Sequence, residues 1–133
     1  MLMLAIIYVM TKIAIIEDDA AINQMYRMKF ETAGFEVLLA DDGAHGVELV
    51  QKYHPDLILL DLQMPHMSGV EALGRIRKLP GCEQVPVIIL TNLGKEEAPA
   101  GLDSLRVHSY IVKAESTPRQ VVEHVKTALK QQA

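Results

Sequence analysis

The sequence predicts an α/β fold, a five-stranded parallel sheet covered by helices on both faces. Short runs that are apolar at nearly every position, such as Lys12-Ile13-Ala14-Ile15-Ile16 and Leu57-Ile58-Leu59-Leu60, alternate with segments whose apolar residues recur at helical spacing. Strands apolar on both faces belong to sheets buried on both sides. Polar residues capable of chemistry also stand where the apolar runs end: Glu17-Asp18-Asp19, Asp61, Thr91 and Lys113. In parallel sheets the carboxyl ends of strands form one edge, where ligands bind.

The elements follow in order. Lys12 to Ile16 reads as the first strand, and Asp19 as the cap of a helix whose face carries Ile22, Met25, Tyr26, Lys29, Phe30 and Ala33. Gly34 ends that helix. Phe35 to Ala40 is a second strand, Asp41-Asp42-Gly43 a turn, and Ala44 to Tyr53 a second helix stopped before Pro55. Leu57 to Leu60 is the third strand. Ser68-Gly69 opens a third helix with Val70, Leu73 and Ile76 on one face, closed by Pro80-Gly81. Pro86 to Thr91 and Tyr110 to Val112 are the fourth and fifth strands. A fourth helix is expected over Glu96 to Arg106, although Pro99 and Gly101 interrupt it. Ser116 or Thr117 caps a fifth helix with Pro118 in its first turn and Val121, Val122, Val125 and Leu129 as its apolar stripe. Right-handed crossovers favour the flavodoxin-like (βα)5 three-layer sandwich with strand order 2-1-3-4-5. Asp18 and Asp61 then meet at the switch point between strands one and three.

With 133 residues the chain forms one folding unit, and half of its residues are apolar with no Trp, so its core is aliphatic. Its formal net charge of −4 argues against electrostatic binding of nucleic acid. The lone Cys82 suits a reducing compartment and is expected to be structural or exposed. Residues 1-10 form an apolar leader, too short to span a bilayer and without a charged start or cleavage site. Three readings stay open for it: translation upstream of a functional start at Met10, an arm that packs on a partner, or an anchor. Residues 11-133 make the folded domain.

Carboxylates crowded into one crevice repel each other unless a cation joins them. Oxygen-only ligands select a hard ion, so the sequence points to Mg²⁺ (or Mn²⁺) on Asp18, Asp61 and the backbone carbonyl of Gln63, with Glu17 acting through water. An Asp beside such an ion is placed to attack a phosphoryl group, giving an aspartyl-phosphate on Asp61. Lys113 would neutralise one phosphoryl oxygen and the Thr91 hydroxyl would donate to another.

These segments resemble the receiver domain of two-component response regulators. The likeness rests on Ile15-Ile16-Glu17-Asp18-Asp19, Asp61-Leu62-Gln63-Met64-Pro65-His66-Met67-Ser68-Gly69, Leu90-Thr91 and Tyr110-Ile111-Val112-Lys113, and it covers Lys12 to about Leu129. It implies that Glu17 and Asp18 are the acidic pair, Asp61 the phospho-acceptor, Thr91 the switch hydroxyl, Tyr110 the switch aromatic and Lys113 the family lysine. It further implies a histidine kinase or histidine phosphotransfer protein as donor. A downstream protein target would read a surface of the fourth helix, fifth strand and fifth helix in a cytoplasmic monomer or phosphorylation-dependent dimer, with no membrane and no direct nucleic acid. Two positions depart from the family pattern. Ala114 replaces the usual Pro after the lysine, and Asn92 follows Thr91 where a small residue is common, narrowing access to Asp61.

The alternative function is a phosphorylation-independent interaction module on the same fold. A small-molecule phosphotransferase fits less well because Gln63 stands where a general acid Asp is expected, and no Gly/Ser/Thr-rich loop follows the first strand to hold a flavin phosphate. The protein is read as a signalling phospho-acceptor rather than an enzyme. The five His residues show no metal-ligand spacing and are given surface roles, and Arg75-Ile76-Arg77-Lys78 reads as a solvated basic face.

Overall fold

The computed structural model describes residues 10–131. The apolar leader, apart from Met10, lies outside the described residues. The five strands are β1 (Lys12–Ile16), β2 (Glu36–Ala40), β3 (Leu57–Leu60), β4 (Val87–Thr91) and β5 (Ser109–Val112). All pair in parallel in the order β2-β1-β3-β4-β5, as the sequence predicts. The helices are α1 (Ala20–Thr32), α2 (Gly43–Tyr53), α3 (Gly69–Arg77) and α4 (Pro118–Gln131).

Alternation along the strands divides the core into two layers, because successive side chains of a strand point to opposite faces. Ile13, Ile15, Leu57, Leu59, Ile88 and Leu90 pack with Phe30, Val121 and Val125 of α1 and α4. Ala14, Ile16, Ile58, Leu60 and Ile89 pack with Val50, Leu73 and Ile76 of α2 and α3. The helix starts are fixed by side chains. Asp19 accepts from the Ile22 N–H, Asp42 from His45 and Ser68 from Glu71. Thr117, just ahead of Pro118, and Gln120 in the first turn bond reciprocally, forming a capping box.

The expected fourth helix does not form. Two 3₁₀ turns, Lys95–Glu97 and Leu102–Leu105, replace it. Pro99 removes an amide donor and forces Ala98 into extended backbone with ψ 135°, while Gly101 turns left-handed at φ 89°. The basic run on α3 also reads differently in three dimensions. Arg75 and Lys78 are exposed, but Arg77 is buried. Its guanidinium donates to the carbonyls of Leu105 at 2.8 Å, Cys82 at 3.1 Å, Val85 at 2.7 Å and Arg106 at 3.0 Å. A planar fork with five donors can serve several acceptors at once. Two of those acceptors belong to the segment that fails to become a helix, so Arg77 gives their carbonyls the partners that regular structure would supply. Cys82 lies beside this clamp and is buried rather than exposed, and burial raises its thiol pKa above the ordinary value.

Replacing Arg77 with Met would leave four carbonyls short of a donor. Urea unfolding of Arg77→Met is expected to show a loss of about 3–5 kcal/mol, and Arg77→Lys should recover only part of it because a point charge cannot span the same carbonyls. A loss below about 0.5 kcal/mol would show that the clamp contributes nothing to stability.

Candidate functional site

The carboxyl edge of the sheet gathers the site. Beyond the strands proper, the ladder continues by one residue: the Glu17 N–H donates to Ala40 O at 3.1 Å and the Asp61 N–H to Ile16 O at 3.0 Å. Both acidic residues are therefore fixed by backbone before their side chains make any contact. Glu17 and Asp61 are 4% and 6% exposed, whereas Asp18 faces solvent. A carboxylate oxygen from each of the three lies within 4.8 Å of the others.

Lys113, at the end of β5, reaches across this pocket. Its ammonium donates to Asp61 Oδ2 at 3.1 Å and to Glu17 Oε2. Asp61 Oδ1 accepts from the Gln63 N–H at 3.1 Å, and Glu17 Oε1 accepts from the Asp19 N–H at 3.1 Å. Burial pushes the Glu17 carboxyl up to about 7, with the Asp61 charge adding to the rise and the hydrogen bonds from Lys113 and Asp19 opposing it. For Lys113, burial favours loss of the proton. Its hydrogen bond to Glu17 and the two carboxylate charges outweigh burial, so the pKa rises above the usual lysine value.

Thr91 closes β4 and is fully buried, its Oγ1 accepting a long 3.4 Å hydrogen bond from the Leu93 N–H. The Tyr110 hydroxyl donates to Leu93 O at 2.8 Å, with Gly94 O at 3.4 Å. Strand β5 is thus tied to the loop that follows Thr91. Asn92 is exposed in the same loop. Gly69 supports the site from below: its N–H donates to Leu62 O, and a Cβ at this position would fall 2.2 Å from Asp61 O.

The geometry brings together Glu17, Asp18, Asp61 and Lys113, with the backbone of Gln63 at the pocket wall. Asn23 was not anticipated. It is buried at the start of α1, where its Nδ2 donates to Glu17 O at 2.6 Å and approaches Ala40 O at 3.4 Å. Asn23, Tyr26 and Phe30 share one buried helical face at intervals of three and four, and that spacing from the two aromatics is the signal that could have found it.

The response regulator receiver domain model matches residues 13–126. The chain belongs to this family. It is a receiver domain of two-component signalling. The chain is 38% identical over 120 residues to the phosphate regulon transcriptional regulatory protein PhoB of Rhizobium meliloti, covering 90% of this chain and 52% of that protein. It therefore spans about half the length of that relative. Against the polar-differentiation response regulator DivK of Brucella ovis it is 31% identical, covering 90% of this chain and 98% of the relative. Among solved structures, a CheY-like receiver domain protein from Methanospirillum hungatei superposes with TM-score 0.84 at 29% identity, covering 93% and 97% of the two chains. The chemotaxis protein CheY4 of Vibrio cholerae gives 0.83 at 26% identity, covering 90% and 98%.

The pocket of this receiver fits a divalent cation. Glu17, Asp18 and Asp61 offer three oxygen donors, and once all are ionised the Lys113 ammonium leaves two negative charges uncompensated. Hard divalent ions prefer oxygen donors of this kind.

Because the folded Glu17 takes up protons more readily than an ordinary glutamate at 4.5, its contribution to stability is present below that value and lost as pH rises through about 7. In metal-free buffer with EDTA, Glu17→Gln is expected to be more stable than the parent at pH 8 by roughly 1–2 kcal/mol, the gap closing near pH 4.5. Thermal unfolding across that range tests it. A gap independent of pH would assign the gain to packing instead.

Proposed function

We propose that Asp61 is the phospho-acceptor of this receiver, taking a phosphoryl group from the phosphohistidine of a histidine kinase or histidine phosphotransfer protein. The observation that carries the proposal is the buried Asp61 carboxylate held between the Lys113 ammonium and the Gln63 N–H beside two further carboxylates. A carboxylate oxygen of Asp61 forms the new bond to phosphorus as the phosphorus–nitrogen bond to the donor imidazole breaks, and the imidazole leaves with its electron pair.

Asp18, Asp61 and the Gln63 carbonyl would hold Mg²⁺ (or Mn²⁺), with Glu17 acting through water. The ion supplies charge neutralisation for the phosphoryl oxygens. Lys113 moves from its two carboxylate partners to one phosphoryl oxygen, and Thr91 donates its hydroxyl to another. The movement of Thr91 pulls on the loop of Leu93 and Gly94, to which the Tyr110 hydroxyl is bonded. The surface that a protein target reads is then β5, α4 and the 3₁₀ segment, in place of the full fourth helix that the sequence suggested. No helix among the described residues is long and apolar enough to cross a membrane. The proposed setting is the cytoplasm, where such kinases present their phosphohistidine, with the receiver a monomer or a phosphorylation-dependent dimer that does not itself bind nucleic acid.

Incubation with a small acyl-phosphate and Mg²⁺ is expected to add one phosphoryl group, read by intact mass, and Asp61→Asn should add none. If Asp61→Asn retained the added mass, the acceptor would be another residue; if the parent gained none, an interaction module independent of phosphorylation would be the better reading.

The 3₁₀ segment lacks the regular hydrogen-bond ladder of a helix, so its amides are expected to open more easily. Hydrogen exchange from Glu96 to Arg106 should be faster than in α4 and should slow when a phosphoryl mimic and Mg²⁺ are added. Protection equal to that of α4 in the free protein would move the responsive element elsewhere.

A further inference from the structure

Two histidines far apart in sequence meet at the open edge of the sheet. His108 precedes the edge strand β5 and is anchored by its own backbone, whose N–H donates to Val87 O at 2.8 Å. His124 stands exposed on α4. Their rings converge on one oxygen, with Ser109 Oγ 3.1 Å from His108 Nδ1 and 2.9 Å from His124 Nε2. On its far side, His108 Nε2 lies 2.8 Å from Gln131 Oε1. An amide oxygen only accepts, so His108 Nε2 donates to Gln131, which leaves Nδ1 as the nitrogen that can offer a lone pair. With that lone pair free, the Ser109 hydroxyl can donate to His108 Nδ1 and accept from the Nε2–H of His124. His108 and His124 border an open cleft of about 320 Å³ with Glu123 on its rim.

We propose that His108 Nδ1 and His124 Nε2 bind a divalent transition-metal ion of the zinc class, with the Ser109 hydroxyl and water completing its coordination. Imidazole nitrogen is a donor such ions favour. A ligating imidazole generally passes its other N–H to a fixed acceptor, and Gln131 already holds His108 in the tautomer that aims Nδ1 at the site. His124 binds by shifting its hydrogen from Nε2 to Nδ1. Zinc–nitrogen bonds are about 2.0–2.1 Å, shorter than the 3.1 and 2.9 Å that now separate the two rings from Ser109 Oγ, so binding requires the exposed His124 ring to turn toward the ion. The charge at the rim is the Glu123 carboxylate, which pairs with the Lys126 ammonium at 3.4 Å. The donor set separates this site from the acidic pocket at Asp61, whose oxygen ligands suit Mg²⁺. An ion here would join β5 to α4 one residue from Tyr110, and its binding requires no phosphorylation of Asp61.

The test is calorimetric titration of Zn²⁺ into the full chain in excess Mg²⁺, which occupies the acidic pocket. A His45→Ala background removes the cluster of Asp41, Asp42 and His45. One equivalent of Zn²⁺ is expected to bind, and His108→Ala and His124→Ala should each weaken binding at least tenfold. The exposed position of His124 keeps the second variant informative should the first fail to fold. Gln131 is a positioning residue, so Gln131→Ala should weaken binding about tenfold and shift the His108 tautomer in long-range ¹H–¹⁵N spectra. Absence of binding in the His45→Ala background, or equal affinity in His124→Ala, overturns the proposal.

Discussion

The Lys113 ammonium lies between two carboxylates that the fold has taken out of water, and the arrangement of the carboxyl edge depends on that placement. Two like charges about 4 Å apart repel by about 4 kcal/mol at an effective dielectric constant of 20. Without the lysine, Glu17 and Asp61 would each face desolvation and mutual repulsion together. With it, the pocket is tolerable in the resting state yet still short of positive charge. Burial first, and the Asp61 charge after it, still push the Glu17 carboxyl up to about 7. Three carboxylates against one ammonium leave the pocket a net two negative charges, the balance that a divalent cation would offset.

Backbone holds the charges in place. Because Glu17 and Asp61 extend the β1–β2 and β1–β3 ladders by one residue each, their positions derive from the same hydrogen bonds that build the sheet. Gly69 leaves room for the Asp61 carbonyl, and Asn23 ties the end of β1 to the end of β2. Strain is avoided by using residues that add little bulk or bring their own donors.

Between β4 and β5 the chain departs from a regular α/β repeat. Pro99 and Gly101 prevent the helix between these strands, and Arg77 from α3 gives the loose segment fixed partners at Leu105 and Arg106. A buried arginine thus stabilises irregular backbone that would otherwise carry unpaired carbonyls. The Tyr110 hydroxyl does similar work at the other end of the loop, where it holds Leu93. The segment between Thr91 and β5 is therefore tethered at both ends and irregular in the middle.

Sequence by itself determined the parallel sheet, its order and the residues at its carboxyl edge, since apolar runs, caps and turn residues report on local backbone and on burial. Asp19, Asp42, Ser68 and Thr117 begin their helices through hydrogen bonds spanning only three residues, which is why strand and helix limits agree closely with the spacing. Only tertiary structure decided the rest. Arg77 looked like one charge in a solvated run, and its four acceptors lie between five and 29 residues away. The fourth helix fails at Pro99 and Gly101, and it is the distant Arg77 that then gives the irregular segment fixed partners. His108 and His124 meet only because β5 packs beside α4, and Lys113 reaches Glu17 across 96 residues of chain. Spacing in sequence records what the backbone does with its near neighbours; which side chains share a pocket is set by how the strands are ordered in the sheet.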